Sequence, residues 1–83
     1  MVGVISAVNP DRQRAAIARV DGTYSVIVYQ SPWDIAVGQK VAGLIAERGL
    51  AALSLADGGT AQVIVEAVFQ TSEEAHLLVN RVT

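Results

Sequence analysis

Apolar and polar positions fall into short runs of strand character, and one run of helical character follows them. Val2 to Val8 is β-branched and short, a strand that Asn9-Pro10-Asp11 stops with turn chemistry. Ala15 to Val20 and Thr23 to Gln30 flank Asp21-Gly22, the strongest short-range hairpin signal. Val41 to Glu47 and Leu50 to Ala56 meet at Arg48-Gly49, and Asp57-Gly58-Gly59 then leads into Thr60 to Gln70. In that last run Val63, Val65, Ala67 and Phe69 alternate with Gln62, Ile64, Glu66 and Val68. The period then changes. Thr71 and Glu74 have capping-box spacing, and Ala75, Leu78, Val79 and Val82 recur at helical intervals, which predicts one amphipathic helix over residues 72–82. Such a helix is too short to persist alone, so its stripe must pack on something.

If Asp21-Gly22 is a two-residue type I′ loop, Val20 faces Thr23, Ala18 faces Ser25, Ile17 faces Val26, Ala16 faces Ile27, and Arg14 falls opposite Tyr29. Alternate pairs point to opposite faces. This register puts Ala15, Ile17, Val26 and Val28 in the interior and Arg14, Ala16, Ala18, Ser25, Ile27 and Tyr29 on the outside. The likeness of VDGTYSVIV to ADGGTAQVIV is assigned to shared hairpin chemistry rather than to duplication. Short strands with turn signals and then a helix predict a mostly β chain. The expected fold is a five- to six-stranded barrel of the oligonucleotide/oligosaccharide-binding (OB) type with one C-terminal α-helix, an SH3-like barrel being the alternative.

Composition narrows this further. Eighty-three residues, 52% of them apolar, make a single domain over 1–83, with the barrel at about 1–70. Cysteine is absent, which fits a reducing cytoplasm. The net charge of −2 gives no long-range pull on a polyanion. The first residues lack the basic and apolar regions of a signal peptide, and no apolar run approaches the ~20 residues of a membrane span.

The first half of the chain resembles a cold-shock domain, the small OB-type barrel that binds single-stranded RNA and DNA. Gly3, Asn9-Pro10, Arg12, Ile17, Asp21-Gly22, Val26, Val28 and Ser31 fall in step with that family's opening, and Gly38-Gln39-Lys40-Val41 matches its later Gly-Gln-Lys-Val. The departures lie at the reading head. The family's base-stacking positions correspond here to Ala7, Val8, Arg14, Ala16, Ile27, Tyr29 and Gln30, of which Tyr29 alone keeps a ring. Gln13 and Ala15 replace flexible glycines. Stacking is worth about 1–3 kcal/mol per base, so most of the family's sequence-tolerant affinity would be gone.

The candidate sites follow from these patterns. Ala16, Ala18, Ile27 and Tyr29 form an expected outer interaction face, suited to a homodimer or another protein partner. The helix stripe has two places to pack, across the sheet or over the barrel's open end, and the second is favoured, which leaves that face open. A weaker nucleic-acid reading uses Arg12, Arg14, Tyr24, Tyr29, Trp33 and Lys40. Trp33 otherwise caps the barrel beneath its proline turn. His76 is the sole histidine and lacks the companions of a metal site. Ser72, one helical turn before it, is accounted for by the cap region. Glu73 and Glu74 diverge on a helix, and Gly58-Gly59 lacks a phosphate-cradle context. Neither catalytic residues, nor a metal, nor a cofactor is expected.

Overall fold

The computed structural model describes residues 2–29, 35–43, 45, 47–55 and 58–80. Its strands are β1 (Val2–Asn9), β2 (Arg14–Arg19), β3 (Tyr24–Tyr29), β4 (Lys40–Ala42), β5 (Gly49–Leu55) and β6 (Thr60–Gln70), and α1 (Ser72–Val79) follows them. The strands close into one barrel in the order β1-β2-β3-β6-β5-β4, every pair antiparallel. The mostly β barrel with a C-terminal helix is therefore as the sequence predicts. The fourth run is shorter than expected, since pairing stops at Ala42 and Ile45 enters the core from beyond the strand.

Ile5, Ala15, Ile17, Ile27, Tyr29, Val41, Ile45, Leu53, Val63 and Val65 fill the interior. Gly3 marks a close approach, because a methyl group there would stand 2.3 Å from Ile17 Cγ2 and 3.0 Å from the Ala18 carbonyl. Among the described residues, three bulges bend the barrel. Ser6 is the extra residue in β1, Glu66 is one in β6, and Val68–Phe69 holds another. Each bulge reverses the alternation beyond it. Val65 faces the interior, whereas Ala67 lies outside under the helix, and Val68 turns back toward the core.

The β2–β3 register corrects the expected one. Ala16 pairs with Val26, Ala15 with Ile27 and Arg14 with Val28, one step from the predicted partners. The loop has three residues, not two. Gly22 N–H donates to the Arg19 carbonyl at 3.1 Å, and Arg19 N–H donates to the Thr23 carbonyl at 2.9 Å. Gly22 takes a φ of +87°, whereas Asp21 is not among the described residues with positive φ, so the type I′ requirement is unmet. The arrangement is a type I turn with glycine in the left-handed position. Leu55, Gly58 and Gly59 repeat the same two bonds at the β5–β6 turn, so hairpin chemistry does account for the two similar segments.

A slip of one residue turns a whole strand over. Ser25, Ile27 and Tyr29 point into the barrel, and Val26 lies outside, against α1. Ser25 is fully buried, and its hydroxyl donates to the Ile45 carbonyl.

The helix takes the less favoured of its two expected places. It crosses the outer sheet face instead of closing an end, with Ala75 and Val79 buried against Ala16 and Val26 and flanked by Ala7, Tyr24, Ala67 and Leu78. Alanines at 7, 16 and 67 let it approach the sheet closely. Its start is as predicted: Glu74 N–H donates to Thr71 Oγ1 at 3.1 Å, and Thr71 N–H donates to Glu74 Oε1 at 2.9 Å. It ends earlier, at Asn80, whose backbone and side-chain N–H groups both donate to the His76 carbonyl. Asn9 Nδ2 donates to the Val79 carbonyl at 2.9 Å and ties the last turn to β1. Val82 lies outside the described residues.

Candidate functional site

The expected interaction face is not a surface. Ala16 and Ile27 are fully buried, Tyr29 is 5% exposed, and Ala18 is half-buried. Two covers are responsible: α1 lies over Ala16, and the corrected register takes Ile27 and Tyr29 into the core.

The nucleic-acid set is dispersed in the same way. Tyr29 has no ring face to offer a base. Tyr24 is half-buried beside α1, its ring centroid 6.4 Å from that of His76. Arg14 does not oppose Tyr29 but binds Glu66, Nε to Oε1 at 3.1 Å. Arg12 is exposed in the β1–β2 turn, and Lys40 is exposed on β4. Trp33 and Gln30 lie outside the described residues. In the β1–β2 turn, Gln13 takes a φ of 54°, in the left-handed region that glycine enters most readily.

A face that α1 does not cover lies on the far side of β3. The cross-strand register aligns Arg14, Val28, Ile64 and Leu50 in one row over β2, β3, β6 and β5. Val28 and Ile64 are half-buried, and Leu50 is 81% exposed. Beside Leu50, a shallow depression is lined by Arg48, Gly49, Ile64, Val65 and Glu66. Leu50 was legible only as part of a strand, because nothing in an Ala- and Leu-rich run says which face water keeps.

Sequence reasoning also missed Arg19. It follows Ala15 and Ile17 in the inward alternation of β2, so its side chain comes to the barrel's mouth. Its Nη2 is 3.2 Å from Asp21 Oδ2, and its Cζ lies 4.7 Å from the Phe69 ring centroid. Asp21 Oδ1 accepts from Thr23 N–H at 2.9 Å and from Thr23 Oγ1 at 2.6 Å. These bonds favour the charged carboxylate and hold Asp21 below its ordinary value, the Thr23 hydroxyl contributing most and Arg19 less. A depressed carboxylate supports the fold above its unfolded pKa, and that support disappears as pH falls through the folded value. The Thr23 amide shift should therefore titrate with a midpoint below the ordinary aspartate value of about 3.9. A midpoint at or above it would contradict these bonds.

Ser72 Oγ and His76 Nδ1 come within 3.4 Å on the exposed face of α1, a long contact. Among the described residues no group of three His, Cys, Asp or Glu side chains could hold a metal ion, and no helix is long and apolar enough to cross a membrane. Compared with protein-family models, curated proteins and solved structures, the chain matches none.

Proposed function

We propose that this chain is a non-catalytic interaction barrel that self-associates through the outer face centred on Leu50. The observation that carries the reading is an 81% exposed leucine in register with Ile64 and Val28, on a face α1 leaves bare. The face is also self-complementary. Leu50 projects beside a shallow depression lined by Arg48, Gly49, Ile64, Val65 and Glu66, so a two-fold pairing of this face would place a leucine and a hollow on each side of the contact. Isologous pairs of this kind are the commonest oligomers. A cytoplasmic setting belongs to the same proposal and rests on the absence of cysteine.

Single-stranded nucleic acid gains less support. The cold-shock resemblance covers the first half of the chain, but two of its stacking positions, Ala7 and Ala16, lie against α1, and Tyr29 is in the core.

Size-exclusion chromatography with light scattering tests the dimer. The unaltered chain should weigh twice its 8.7 kDa at high concentration, and Leu50→Arg should run as a folded monomer. A wild-type chain that stays monomeric at millimolar concentration would end this reading.

A further inference from the structure

Two anomalies meet where β6 passes the β2–β3 turn. The first is electrostatic. The Arg19 side chain is only 4% exposed, and its Nε and Nη1 are buried without a protein hydrogen-bond partner. A guanidinium offers five N–H donors, and burying them unmade is unfavourable. An aliphatic residue would seal the barrel's mouth without orphaning any donor. The second is conformational. Phe69 has a φ of 56°, a region bulky side chains rarely enter, yet the residue is 60% exposed. The bulge at Val68–Phe69 re-aims that ring over the guanidinium at 4.7 Å. The core does not hold Phe69 in this conformation, since little of its surface is buried. Strain of this kind gathers at ligand clamps.

We propose that this mouth is a small-oxyanion site: Arg19 receives a carboxylate or phosphate group, and Phe69 is the lid that moves aside to admit it. The chemistry fits one of the two unused donors, Nη1. Nη1 shares a fork edge with Nη2, and a planar guanidinium takes two oxygens of one anion along such an edge. The ring's cation–π contact stands in while the site is closed. Asp21, already on Nη2, makes the closed cluster neutral, so the site releases its ligand readily and Asp21→Asn should tighten binding. The site lies at the opposite end of β2 from Arg14 and does not depend on the Leu50 face.

Arginine Nε–Hε correlations in 1H–15N spectra of the intact chain test this, with sodium acetate and sodium phosphate added separately at constant ionic strength. The Arg19 signal should shift and saturate while the other arginines stay still, and the saturable shift of the neighbouring Asp21 backbone amide should be lost in Arg19→Lys. Saturation with acetate alone, phosphate alone or both supports the site and tells which oxyanion it takes. Phe69→Gly keeps Arg19, frees the backbone strain and removes the lid, so affinity should rise about fivefold or more. This variant also carries the test if Arg19→Lys does not fold. A shift that is linear, shared among all arginines, or absent in both the wild type and Phe69→Gly would overturn the site. Equal affinity with and without the ring would overturn the lid.

Discussion

Ile27→Arg should abolish folding. Ile27 is fully buried between Ala15 and Val65, its register neighbours on β2 and β6. The cluster around it consists of aliphatic side chains and Tyr29, and among the described residues no carboxylate is buried to meet a guanidinium. The change loses the burial of an isoleucine, about 1.5–3 kcal/mol, and adds several kcal/mol for an unpaired buried charge. Small domains bury a limited share of their surface, and total stability is about 5–15 kcal/mol, so little would remain. The expected spectrum is poorly dispersed, with no cooperative thermal transition. Leu50→Arg makes a similar aliphatic-to-arginine change at an exposed position and should stay within about 0.5 kcal/mol of the parent. The contrast also separates the two hairpin registers. With a two-residue loop Ile27 would face outward and its arginine would be tolerated, so a well-folded Ile27→Arg chain would refute the three-residue loop.

The reason that register was hard to read lies in the segments themselves. Ala15-Ala16-Ile17 and Ser25-Val26-Ile27 are each buried at all three positions, because the barrel covers one side and α1 the other. Alternation is informative when one face meets water, and here neither does. Only the turn could fix the parity. Asp-Gly serves a two-residue loop and a three-residue loop equally well, provided that the glycine takes the left-handed position. By contrast, Thr71 and Glu74 define the helix start through local bonds that need no tertiary context, and that start was legible.

The bulges set the second limit. Val63, Val65, Ala67 and Phe69 make one unbroken row in the sequence, yet the row divides after Val65 between the core, the helix face and solvent. The reversal of alternation is hidden here because Ala67 and Val68 are both apolar and suit either face. Phe69 and Arg19 belong to different elements, so their meeting is a product of closure that neither segment announces alone. The small residues at Ala7 and Ala16 were visible. Their purpose was not, since an alanine stripe looks the same whether it awaits a second chain or the same chain's own helix.

Val79→Asp should separate the helix from the barrel. Val79 is fully buried against the apolar cluster of Ala16, Val26 and Ala75. Burying a carboxylate there would cost more than undocking α1, so the helix is expected to leave, a loss of roughly 3 kcal/mol once valine burial and its neighbours' contacts are counted. Once undocked, eight residues cannot stay helical, because nucleation is too costly for so short a segment. The barrel should survive, since its strands pair with one another around the closed ring. Hydrogen exchange should lose protection at the Ala75 and Asn80 amides, which donate to the Thr71 and His76 carbonyls, and keep it across β2 and β3. Undocking also bares Ala7, Ala16, Val26, Ala67 and Tyr24 together, an apolar patch that soluble domains seldom leave exposed. The variant should therefore bind a hydrophobic dye and associate with rising concentration even when Leu50→Arg is present as well. Retained helix protection would reject the docking of α1 on the sheet. Joint loss of barrel and helix protection would show that the helix is integral to the barrel's stability and not a separable cover.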